Sequence, residues 1–317
     1  MAQTQLFPAH PQGKHGPLYG GLLGPNPKDP AQNALSKVDM RTANLMGLLK
    51  KAPTALPSGV DFGKQAWWDQ SMYADDQGQL GACVSFAADH MRCFLSLQNG
   101  DQRQAHSQLW IYWQMRQRFV APTDPNWQTD DTGAYGSWAE AIVEGRGFAQ
   151  EQDWPYDVTK LSTAPPPASY GPALWYRNVV PITVPVDASA WKSLLAAGHA
   201  FIVGYAVYQS FYQAQGNGNV PIPPAGDKFL GGHENFVMGY QDGTAYPGGA
   251  PLPAGAGGYF IFLNQWGSGA ADWFSPQNRL YVPYTFLAAP APTPDWKGPC
   301  VADATCFALA PSAQTGV

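Results

Sequence analysis

The stretch Asp76-Gln77-Gly78-Gln79-Leu80-Gly81-Ala82-Cys83 decides how the rest of the chain is read. Its glycines mark a turn. The apolar run that follows, from Cys83 to about Leu97, has no Gly or Pro inside it and predicts a helix that Cys83 opens. A thiol at a helix N-terminus sits beside unpaired N–H groups and the positive end of the macrodipole, which favours the reactive thiolate. A lone cysteine is more often a buried, inert apolar residue, so the turn needs chemical partners elsewhere in the chain.

Three are in reach of the argument. Gln77, six residues before Cys83, carries an amide that can donate to an oxyanion. His233, 150 residues downstream, lies between Gly231-Gly232 and a predicted strand, where a general base can be presented. Asn264 follows 31 residues later at the end of another predicted strand; its amide can bond one ring nitrogen and turn the imidazole toward the sulfur. Trp266 is placed to shield that bond from water.

The chain around these residues has 317 positions, enough for one large domain or two lobes sharing a cleft. With 34 Gly and 30 Pro it is about a fifth turn-formers, which excludes a helical bundle. Helices are expected over residues 30–51, 83–97, 107–118, 138–146 (capped by Ser137) and 191–197. Strands are expected over 60–62, 177–184, 201–207, 235–240, 259–264 and 279–282. Helices first and strands later give an α+β protein with two lobes. Residues 1–56 read as an N-terminal extension, 57–288 as the main domain and 289–317 as a Pro/Ala-rich tail.

A net charge of −5 with no basic cluster longer than Lys50-Lys51 excludes binding through nucleic-acid phosphates. No apolar run is long enough to span a membrane. Met1 to Pro8 show no secretory signal, so a cytoplasmic location or a place in an assembled particle is expected. Only 13% of residues are charged, a composition that goes with association. Four cysteines are too few for a disulfide scaffold, although Cys300 and Cys306 are near enough in sequence to bridge. No Cys-x-x-Cys or His-x-x-x-His pair points to zinc, and neither metal nor cofactor is expected. Cys93 reads as a packing residue, His90 as a packing or surface residue, His199 as a partner of helix-end carbonyls, and His10, His15 and His106 as solvent-facing loop residues.

Taken together, the segments 76–83, 232–240 (Gly232-His233-Glu234-Asn235-Phe236 onward) and Asn264-Gln265-Trp266-Gly267 resemble the papain family of cysteine peptidases. Ser107-Gln108-Leu109-Trp110, Asp131-Thr132-Gly133-Ala134, Asp153-Trp154-Pro155-Tyr156 and Gly204-Tyr205-Ala206-Val207 extend the likeness to bacterial members, in family order, over residues 57–288. The resemblance implies a helical left lobe carrying the cysteine and a β-barrel-like right lobe carrying His and Asn. It implies Cys83 as nucleophile, His233 as base, Asn264 as its orienter and Gln77 as oxyanion donor. Gly133 and Ala134 would pair with substrate backbone, with Trp266 at the same cleft.

Four positions depart from the family pattern. Val84 stands for the usual Trp, Leu80 for a disulfide cysteine, Gln265 for Ser, and Glu234 for a small apolar residue. Strand alternation turns Glu234 away from the imidazole; on the same side it would raise the ring's pKa. The extension 1–56 reads either as a pro-segment over the cleft or as a packing arm. The function expected is peptide-bond hydrolysis through an acyl-enzyme. The alternatives are a structural subunit on this fold, such as a phage-tail or virion part held by residues 1–56 and 289–317, and another acyl transfer such as isopeptide cleavage.

Overall fold

The computed structural model describes residues 38–177, 179–267, 277–292 and 299–309. Its centre is the helix α2 (Cys83–Gln98), in which every residue from Cys83 to Leu97 is buried. A helix apolar enough to be covered on all sides belongs in a core. It packs against β5 (Phe229–Asp242), with Phe94 and Phe236 meeting at 5.5 Å between ring centroids. Phe62 reaches Phe94 at 4.9 Å, and Trp68 stacks on Phe236 at 6.3 Å. Aromatic contacts of this kind contribute about 0.5–1.5 kcal/mol each beyond the area they bury, so this cluster joins the helical part firmly to the sheet.

The remaining helices are α1 (Met40–Leu45), α3 (Gln108–Met115), α4 (Gly136–Gly145), the one-turn α5 (Tyr170–Ala173) and α6 (Ala188–Ala196). The strands are β1 (Val38–Asp39), β2 (Gly59–Asp61), β3 (Val179–Thr183), β4 (Phe201–Tyr208), β6 (Gly258–Leu263), β7 (Arg279–Pro283) and β8 (Val301–Leu309), with β5 the longest. They form one sheet in the order β1-β3-β8-β4-β5-β6-β7, with β2 also on β5; among the described strands β1–β3 pair parallel and the others antiparallel. β4 and β6 are buried at every position, as their continuous apolar sequences require. Trp191 of α6 covers one face, 4.8 Å from Phe201 and 5.0 Å from Phe260.

The α+β architecture is the one expected, and three local expectations are corrected. The helix expected over 30–51 is not continuous: residues 30–37 lie outside the described residues, Val38–Asp39 is a strand, and the helix covers only Met40–Leu45. Asp39 caps it by accepting from the Thr42 N–H at 2.7 Å, and Gly47, with φ of 69°, takes the left-handed turn that ends it. Helix α4 starts at Gly136 with Tyr135 at its N-cap and no side-chain cap, so Ser137 lies inside it. The segment 289–317 contains β8, a strand inserted between β3 and β4. Cys300 and Cys306 are both free thiols. Cys300 immediately precedes that extended strand and Cys306 lies in its middle, about 20 Å apart at ~3.3 Å per residue, well beyond the ~7 Å Cα separation a disulfide tolerates. Among the described residues no helix is long and apolar enough to cross a membrane.

Candidate active site

Cys83 is the first residue of α2. Ala82 precedes it in a non-helical conformation and offers no side-chain cap, so the helix's first N–H groups remain beside the thiol. The turn before it is fixed at both ends. Gly78, with φ of 59°, donates its N–H to Asp76 Oδ1 at 2.8 Å, and the Gly81 N–H reaches the Asp131 carboxylate at 2.8 Å. Cys83 is fully buried.

His233 lies on β5 opposite Tyr205 of β4. Its Nε2 is 2.8 Å from Asn264 Oδ1. An amide oxygen only accepts, so Nε2 carries the proton and Nδ1 keeps its lone pair. Nδ1 is buried and makes no hydrogen bond. Trp266 lies over the ring with centroids 4.5 Å apart. Burial holds the imidazole pKa down at about 4 against the opposing effect of the Asn264 bond, so the ring is neutral near pH 7. Asn264 follows β6 directly, and its backbone N–H donates to Asn278 C=O at 2.8 Å.

The two lobes meet through short backbone pairings. Asp76 bridges Trp266, and the Gln77 N–H donates to Gln265 C=O at 2.9 Å. The Gln77 side-chain Nε2 donates to Leu80 C=O at 2.9 Å, which occupies one of its two hydrogens. Gly133 takes φ of 69°; its N–H donates to Tyr112 Oη at 2.9 Å and its C=O accepts from Thr132 Oγ1 at 3.1 Å. Ala134 beside it is buried.

Several solved structures share this arrangement of helices and sheet. Xylellain, a cysteine protease from Xylella fastidiosa, is similar with a TM-score of 0.66 and 20% identity over 92% of this chain and 97% of its own. The chain has the papain-like fold. ProCathepsin B S9 from Trypanosoma congolense matches 87% of this chain and 82% of its own at a TM-score of 0.55 and 15% identity. The ragweed pollen cysteine protease Amb a 11, in its proform, matches 87% and 76% at 0.54 and 16%. No protein-family model matches the sequence, and no curated protein matches it.

On this papain-like frame, sequence reasoning missed two amides. Asn235, two residues after His233 and on the same face of β5, donates to Gln265 Oε1 at 2.8 Å and to Asn264 Oδ1 at 3.2 Å, and accepts from the Tyr205 hydroxyl at 2.5 Å. Gln265 Nε2 in turn donates to the Glu234 C=O at 2.7 Å and the Cys83 C=O at 3.3 Å. The period of two along a strand was the available signal for Asn235. Glu234 projects toward the start of α4, where a Cβ on Gly136 would lie 2.9 Å from its Oε2. Strand alternation thus keeps it away from the imidazole.

Among the other histidines, His106 differs from expectation. His106 is fully buried and bonded to Asp89 at 2.8 Å, because residues 104–108 fold back against α2 and do not form an exposed loop. His199 meets the end of α6 as expected, through its backbone N–H, which donates to the Leu194 C=O at 3.0 Å after the left-handed turn at Gly198 (φ of 90°), while its ring Nε2 accepts from the Lys50 N–H at 2.7 Å. His90 packs in the core against Asp75 at 2.9 Å, and His10 and His15 lie outside the described residues.

Proposed function

We propose that the chain is a cysteine peptidase acting through Cys83, His233, Asn264 and Gln77. The Cys83 thiol transfers its proton to His233 Nδ1, and the sulfur attacks the carbonyl carbon of a peptide bond. The oxyanion accepts from the Cys83 backbone N–H and the second Nε2 hydrogen of Gln77. On collapse the His233 proton passes to the departing amine, leaving an acyl-enzyme that water hydrolyses with His233 again as base. Gly133 and Ala134 flank the extended substrate and Trp266 keeps water from the His233–Asn264 bond. The observation that carries this reading is the His233 ring: Nε2 engaged by Asn264, Nδ1 without a hydrogen bond, Trp266 above it, on a papain-like fold with Cys83 at the start of α2. The test is hydrolysis of an unfolded protein by the full chain; Cys83→Ala and His233→Ala abolish it.

The complete burial of Cys83 and His233 bears on regulation. β1 pairs with β3, Lys50 meets His199, and Pro57 and Ser58 meet Tyr240 and Asp242 at the other end of β5 from His233. In this reading part of the N-terminal extension, residues 1–56, gates the cleft. The same burial favours the second reading, a structural subunit on this fold without turnover. A chain inactive both in full length and when started at Val38 supports that reading.

A further inference from the structure

A second cysteine–histidine–carboxylate group lies deeper along α2. Asp89 and Cys93 are one turn apart, and positions four residues apart share a helix face. His106 comes to them from the segment entering α3. His106 Nδ1 is 2.8 Å from Asp89 Oδ1, Cys93 Sγ is 3.3 Å from the same oxygen, and Sγ is 3.9 Å from Nδ1. The centre of a triangle with those sides is about 2.0 Å from each corner, close to the ~2.0–2.3 Å bonds zinc makes to N, O and S.

The surroundings are equally telling. Asp89 is fully buried. Besides the His106 ring, its donors are the His106 backbone N–H at 3.2 Å, the Gln108 amide at 2.8 Å and the Cys93 thiol. Arg103 is engaged by Asp75 and Arg92 by Ser96. Buried charges are paired or coordinate metals. Asp89 and a Cys93 thiolate together match a divalent cation. Gln104 supplies further oxygen: its C=O is 3.2 Å from Cys93 Sγ, and its Oε1 is buried with no hydrogen bond. A cavity of about 300 Å3 is lined by Arg103, Gln104 and Ala105, the residues just before His106, with Gln150 and Glu151.

We propose that Asp89, Cys93 and His106 bind a divalent transition metal of zinc type, which ties the helix carrying Cys83 to the segment entering α3. One thiolate, one imidazole and one carboxylate suit a borderline metal. Binding displaces the Cys93 proton to solvent. It moves the His106 ring proton to Nε2, so that Nδ1, Sγ and Asp89 Oδ1 become the ligands.

The test uses the full chain carrying Cys83→Ser, which removes the other thiol–imidazole pair, expressed with cobalt(II) present while the chain folds. The expected result is one cobalt per chain with a thiolate-to-cobalt charge-transfer band. That band disappears in Cys93→Ser, and cobalt content falls at least tenfold in His106→Gln. Absence of cobalt, or a band that survives Cys93→Ser, overturns the proposal. Should those variants fail to fold, X-ray absorption of the Cys83→Ser chain decides: one sulfur among nitrogen and oxygen donors supports the site, and no sulfur overturns it.

Discussion

The Gln265 side chain donates to the backbone carbonyl of Cys83 at 3.3 Å while it also holds the carbonyl of Glu234, next to His233, at 2.7 Å. One amide therefore spans the helix that carries the thiol and the strand that carries the imidazole. Gln265→Ala leaves buried carbonyls and the Asn235 amide short of partners, at a cost of about 1–3 kcal/mol. Urea denaturation checks that loss. Substrate turnover, where present, falls by about an order of magnitude as the two backbones lose their common tie.

Asn235 acts through the same network. Asn235→Ala removes the donor to Gln265 and Asn264 and leaves the Tyr205 hydroxyl without its acceptor. Turnover falls mainly in kcat, because Asn264 and the imidazole lose support and no substrate contact is removed. Asn235→Asp keeps the acceptor for Tyr205 only and rescues less than half of the effect. Steady-state kinetics of the two variants side by side checks this.

Stability depends on pH through buried imidazoles, His233 and His199 among them. Burial lowers both His233 and His199 to about 4. The unfolded rings, with pKa near 6.5, bind protons that the folded rings refuse. Their contribution is fully present above pH 6.5 and is lost as pH falls from 6.5 toward 4. The urea midpoint therefore drops across that window. His199→Gln, which keeps an acceptor for the Lys50 N–H, makes the drop shallower.

β8 is structural. Val301–Leu309 separates β3 from β4, and Phe307 within it is fully buried. Phe307→Ala costs about 3–5 kcal/mol. A chain ending at Ala289 exposes the edges of β3 and β4 and loses its cooperative thermal transition, measured by circular dichroism.

Much of this was legible in the sequence. Apolar runs bounded by Gly or Pro located α2, β3, β4, β6 and β7 to within about two residues, most clearly where every position is buried, as in β4 and β6; β5 begins six residues before the expected strand, so His233 lies within it and not ahead of it. β8 was hidden by the Pro/Ala-rich residues before it, and its place depends on partners more than 90 residues away. His106 reads as a loop residue until Asp89, 17 residues earlier, is seen to accept from it. Val38 to Leu49 keep a helical period that Asp39 and Gly47 interrupt, and Leu45 in that pattern is 82% exposed. The His233–Asn264 contact spans 31 residues and was reached through chemistry, since no periodicity encodes it.

The central claim is an activated thiol at Cys83 with His233 as its base. Intact-mass analysis after an epoxysuccinyl thiol probe tests it most directly, on the full chain and on a chain starting at Val38, which keeps β1 and α1. The account predicts one adduct, on Cys83, lost in His233→Ala. No adduct on either folded chain, or equal labelling with His233→Ala, contradicts it.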